Sequence, residues 1–103
     1  MNLYDNWTAD FKEFKKKVES VLGPLDRLAK EAPDVYAHQV LSHGFMEYNM
    51  ATGICDKIRK ECNRRENPIL FDSRLKEEYL KLARKNNLPE ELLELGWIEY
   101  MND

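Results

Sequence analysis

The sequence predicts an all-α fold, and three observations carry that expectation. No stretch alternates apolar and polar residues for long enough to make a useful strand. Apolar residues instead recur at threes and fours through residues 6–22 and 34–65. Pro and Gly punctuate those runs where helices would begin or end. The 103 residues suffice for a single helical domain with one modest core.

The first element is expected from about residue 6. Trp7, Phe11, Phe14, Val18 and Val21 follow steps of four, three, four and three, one stripe of a helix. Asp5 or Asn6 suits its N-terminus. Gly23-Pro24 breaks or kinks it, and "PLDRLAKEA" continues to about residue 31 with Pro in the first turn, where a missing N–H is harmless.

A second, longer helix is expected from about 34 to about 65, the other arm of a helical hairpin. Ala37, Leu41, Gly44, Phe45, Tyr48, Ala51, Cys55, Ile58 and Cys62 form its heptad-like seam. "ENP" at 66–68 ends it, because the residue before Pro disfavours helix. "ILF" reads as an apolar linker. Asp72 or Ser73 then opens a helix to about Lys85, with Leu75, Tyr79, Leu82 and Ala83 on its buried side. "NN" stops it, and "LPEELLELG" is a last short helix with Pro near its start and Gly96 just past its end.

Gly44 and Gly53 stand inside the long seam, and each interior Gly costs roughly 1 kcal/mol against Ala. Gly44, Ala51, Cys55 and Cys62 make the seam small. Such a stripe admits a close helix–helix crossing, within the chain or between subunits. The backbone at Gly44 approaching a ligand is the other reading. A helix of some 30 residues would be about 45 Å long, more than a 103-residue globule spans. Part of the seam would project, and a homo-oligomer would cover it.

The net charge is −3, and a duplex-DNA binder is more often strongly basic. No run reaches the ~18 apolar residues of a membrane span, and "MNLYDNW" has no secretory-signal character. A cytoplasmic protein, bacterial or viral, is expected. Cys55 and Cys62 on one helix would be separated by roughly 10 Å of rise, too far for a disulfide. His38 and His43, at i and i+5, fall on different faces of an α-helix and offer no recognised zinc spacing with the cysteines. Neither a metal nor a cofactor is expected. Ser42 and His43 are helix neighbours that diverge by about 100°, with no third member of a triad. Glu77-Glu78 and Glu90-Glu91 suit helix N-termini rather than acid–base catalysis. The chain is not expected to be an enzyme.

Residues 56–65, "DKIRKECNRR", hold five basic and two acidic residues. A helix C-terminus explains that cluster through its dipole; a phosphate-binding patch is the sharper reading. Lys15, Lys16 and Lys17 form a second run, solvated or, beside Tyr4 and Trp7, joining stacking surface to positive charge as nucleotides require. On chemistry alone the ligand-binding candidates are Tyr4, Trp7, Lys15, Lys16, Arg64 and Arg65, and the packing or oligomer candidates are Leu41, Gly44, Phe45, Tyr48, Ala51 and Cys55. The acidic, aromatic tail from Leu88 to Met101 packs on its own domain or docks on a partner.

Ala37, Leu41, Gly44-Phe45-Met46 and Ala51 stand in the register Ala-x3-Leu-x2-Gly-Phe-Met-x4-Ala. That stretch resembles the second long helix of the phage anti-CBASS sponge proteins, helical-hairpin oligomers that sequester cyclic oligonucleotide signals. The preceding amphipathic helix and Pro-containing turn suit the family's order. The resemblance implies a homohexamer with pockets for cyclic dinucleotides between subunits and, in some members, separate pockets for cyclic trinucleotides. It carries no ligand-contacting residue across, because the motif belongs to the packing helix. The function expected is non-enzymatic sequestration of cyclic oligonucleotides by a phage-type immune-evasion protein. The alternative is a small protein–protein module that inhibits or adapts a host protein through the tail.

Overall fold

The computed structural model describes residues 11–102. The chain is all-α, with no strand among the described residues. α1 (Phe11–Leu22) and α2 (Leu25–Glu31) meet at the expected break. Gly23 sits at φ 87°, the left-handed region that Gly enters without penalty. The Glu19 carboxylate then accepts from the Leu25 backbone N–H at 2.8 Å, so α1 supplies the cap that α2 lacks at Pro24. Phe14 and Val18 face the core. Val21 does not: it is 64% exposed, and Leu22 packs against the core in its place.

α3 (Pro33–Tyr36), a π-helical turn (Ala37–Ser42) and α4 (His43–Thr52) follow one another as a continuous rod. Pro33 at the first turn needs no N–H partner. In the π turn the hydrogen bonds run i→i+5. Ala37, Val40, Leu41 and Ser42 are all fully buried there, a broader buried face than an α-helical stripe offers.

The rod ends at Thr52 rather than near residue 65. Gly53 adopts φ 65°, ψ 28° and redirects the chain into α5 (Ile54–Glu61). A Cβ at Gly53 would meet nothing within 4 Å. Conformational freedom, not close packing, is therefore what Gly53 supplies. The continuous 34–65 helix is corrected accordingly, and with it the argument that a helix of about 45 Å must project from the monomer. The molecule measures 42 × 26 × 22 Å, and the rod of Pro33–Thr52 fits within it.

α6 (Pro68–Lys85) starts earlier than expected. Asn67 caps it, its Oδ1 accepting from Leu70 N at 3.2 Å, and Pro68 takes the first helical position. "ILF" is thus the first helical turn, with Ile69 82% exposed and Phe71 buried. Leu75, Tyr79, Leu82 and Ala83 face inward. Asn87, at φ 57°, closes α6: its N–H donates to Arg84 O and that of Leu88 to Ala83 O, satisfying terminal carbonyls in a Schellman arrangement.

α7 (Glu90–Asn102) also runs further than expected, through Gly96 rather than stopping at it. Gly96 lies where α7 crosses the π turn. A Cβ there would fall 2.5 Å from both Leu41 Cβ and Tyr79 Oη. The close crossing that the seam suggested at Gly44 is thus made at this position by Gly96, while Gly44 is simply buried in α4. Around the crossing an aromatic cluster fills the core. Phe45 meets Tyr79 and Tyr100 edge-on, with centroids 5.2 and 5.1 Å apart. Trp97 stacks on Tyr100 at 5.4 Å. The tail's aromatic residues therefore belong to the core. Trp97 is 8% exposed, and Ile98 and Met101 are the tail's exposed large apolar residues. Tyr79 donates to Leu93 O at 2.7 Å, tying α6 to α7 inside the core. Among the described residues, no helix is long and apolar enough to cross a membrane.

Candidate functional site

The break at Gly53 and the C-terminal crossing create the candidate site together. α5 leaves the rod, α6 returns alongside α5, and the last turns of α7 approach from the core. Between them lies a cavity of about 320 Å³. Its walls bring Cys55 and Arg59 of α5, Arg64 of the following turn, Phe71 and Asp72 of α6, and Tyr100 of α7 into one place. In sequence these residues span from 55 to 100.

Positive charge and aromatic surface meet here. The Arg64 guanidinium carbon lies 6.0 Å from the centre of the Phe71 ring, within reach of a cation–π contact. Arg64 Nε is 3.5 Å from Asp72 Oδ1, longer than a good charge-assisted hydrogen bond. Arg59 binds Asp56 at 2.7 Å on the exposed rim. Surface pairs of this kind hold about 0–1 kcal/mol and exchange readily for another anion.

Tyr100 of the cavity wall is held in place by Asn49, which does not itself line the cavity. Asn49 is 8% exposed and donates from Nδ2 to Tyr100 Oη at 2.8 Å. Its Oδ1 is buried and accepts no hydrogen bond. Burial first, then the proximity of Cys55, pushes the Tyr100 phenol up to about 12, against the Asn49 bond. Burial likewise pushes the Cys55 thiol up; Arg59, Arg64 and a hydrogen bond with Tyr100 oppose that shift, and Asp56 adds to it. A thiol held protonated is a poor nucleophile. Cys55 and Cys62 are both free.

Of the ligand-binding candidates among the described residues, Arg64 alone lines this cavity. Arg65 is exposed on the adjoining turn, its backbone N–H donating to Asn63 Oδ1. Lys16 is exposed on α1. Lys15 borders a different cavity, of about 330 Å³, with Asp26, Tyr36 and Asn86. The two basic runs therefore do not share one pocket, because α1 and the α5–α6 turn contribute to different cavities. Tyr4 and Trp7 lie outside the described residues. Among the packing candidates, Leu41, Gly44 and Phe45 are buried within the chain, Tyr48 and Cys55 pack partly against its core, and Ala51 is exposed. Ala51 faces outward because the π turn shifts the seam's phase before α4 reaches it.

Asn49 and Tyr100 carry no local motif. Their spacing of fifty-one positions hides the contact. Arg59 was visible as part of the basic run, but nothing in the run separates it from Lys57 or Lys60.

Comparison with protein-family models, with curated proteins and with solved structures gave no match.

Proposed function

We propose that the chain is a non-enzymatic binding protein that sequesters cyclic oligonucleotide second messengers between copies of itself, inhibiting the signal by mass action. The observation that supports this reading is Arg64 poised over Phe71 at the mouth of a cavity that Arg59 and Tyr100 also line. Guanidinium groups recognise phosphate by bidentate hydrogen bonds, and aromatic rings recognise bases by stacking. A phosphate oxygen would replace Asp72 at Arg64, whose 3.5 Å ion pair is loose. At about 320 Å³ the cavity is at the small end of ligand sites. It suits one nucleotide unit, so a cyclic dinucleotide requires the same cavity from a second copy. The acidic tail as an alternative docking element loses its aromatic anchors, because Trp97 and Tyr100 are engaged in the core.

Native mass spectrometry of the purified chain with cyclic di- and trinucleotides tests the proposal. The expected result is an oligomer carrying intact ligand masses, with binding lost in Arg64→Glu and weakened in Arg59→Ala. A monomer that gains no ligand mass overturns it.

A further inference from the structure

α1, α2, α3 and the turn between α6 and α7 meet around a second cavity, of about 330 Å³, which shares no residue with the nucleotide cavity. Lys15 of α1 and Asp26 of α2 bring opposite charges to it. Both are exposed, and among the described residues neither takes part in an ion pair. Tyr36 of α3 lines it too; the side chain is 2% exposed, and its hydroxyl has no hydrogen-bond partner among the described residues. Burial, then Asp26 and Glu91, raise the Tyr36 pKa, so the phenol stays protonated at neutral pH. Asn86, at the end of α6, lines the same cavity, and its Nδ2 is a buried donor without an acceptor. Native proteins leave few such groups. The buried side chains of Leu25 and Leu88 supply apolar wall.

We propose that this cavity binds a small zwitterion with an apolar side chain, an α-amino acid, its carboxylate at Lys15 and Asn86 and its ammonium at Asp26 and Tyr36. A simple anion would gain Lys15 but meet Asp26, and a simple cation the reverse. A ligand carrying both charges finds a complement for each. Asp26 acts electrostatically on Tyr36, so the two acceptors for an ammonium stand near one another. The Lys15 ammonium and the Asn86 amide are donors that a carboxylate satisfies. Hydrogen bonds to charged groups are roughly twice as strong as neutral ones, and Leu25 and Leu88 would take an aliphatic side chain out of water. A cavity of about 330 Å³ lies at the small end of ligand sites and suits a single amino acid better than a peptide. The assignment does not rest on the nucleotide reading, since Lys15, Asp26, Tyr36 and Asn86 all lie outside that cavity.

Titration of the full chain with L-leucine at neutral pH, followed by calorimetry and by amide NMR spectra, tests the assignment. L-Leucine should bind and shift the resonances of Lys15, Asp26, Tyr36 and Asn86 while leaving those of Arg59 and Arg64 in place. N-acetyl-L-leucine, which lacks the ammonium, and L-leucine methyl ester, which lacks the carboxylate, should each bind about tenfold more weakly or worse. Asp26→Asn should shrink the penalty on the acetylated compound, and Lys15→Gln that on the ester. Both substitutions fall at exposed positions, so the far-UV dichroism should stay helical. No binding of L-leucine, equal affinity for the three compounds, or penalties unchanged in the two variants would overturn it.

Discussion

A methyl group built on Gly96 would stand 2.5 Å from Leu41 Cβ, so the α7 backbone rests directly on the π turn. Leu41 Cβ is fixed to its own helix and cannot swing aside as a long side chain would. Gly96→Ala must therefore push α7 outward. Overpacking costs about 1–3 kcal/mol, against about 1 kcal/mol regained in helix propensity. We expect a net loss of roughly 2 kcal/mol at this tightness, read as a fall in Tm of about 10 °C by circular dichroism.

Gly53→Ala is expected to destabilise for the opposite reason. Space is free around Gly53, but its φ of 65° is unfavourable for Ala. The loss should be about 1–2 kcal/mol. Asn tolerates the left-handed region better, so Gly53→Asn should fall between Gly and Ala in urea unfolding. Equal stability for all three would refute the conformational reading.

Trp97→Ala should behave as a core deletion. Trp97 is 8% exposed and lies 5.6 Å from Tyr79 and 5.4 Å from Tyr100. The expected loss is about 3–5 kcal/mol, enough to unfold much of a marginal domain. Ile98→Ala, on the exposed side of the same helix, should stay within about 0.5 kcal/mol. Matching losses in the two variants would contradict the packing of α7.

Alkaline pH should unfold the chain cooperatively. Burial raises the phenol pKa of Tyr36, Tyr79 and Tyr100 above the ordinary value, that of Tyr100 to about 12. The folded state thus holds protons that the unfolded state releases near pH 10. Their contribution to stability is whole below pH 10 and declines as pH rises from there toward the folded values. Absorbance of ionised tyrosine and loss of helical dichroism should rise together above pH 10. Early ionisation of these three without unfolding would show that they are solvent-accessible.

The sequence exposes the helical class because its periodicities are long and its breaks are chemically explicit: Gly23-Pro24 and the inward face Leu75–Tyr79–Leu82–Ala83 stand as read. Gly96 was misplaced because a Gly near a helix end serves equally as a terminator or as a point of close approach, and only Leu41, fifty-five positions away, decides between them. Gly53 posed the reverse ambiguity within a seam that looked continuous. The π turn left no sequence mark, since the same apolar residues suit either hydrogen-bond register. Arg64 was identifiable from charge, whereas its partners Phe71, Asp72 and Tyr100 come from helices whose arrangement no local pattern encodes.

The π turn also sets how this chain tolerates changes of length. Widening one turn of the rod accommodates an additional residue and rotates all that follows by about 100° relative to an uninterrupted α-helix. Closing that turn to regular α-helix with the sequence unchanged would swing Phe45 and Asn49 off Tyr100, whereas deleting a single residue between Ala37 and Ser42 would let the turn close with both still in place. Here the irregular turn, and not the regular helix, is the form on which the rest of the architecture is indexed.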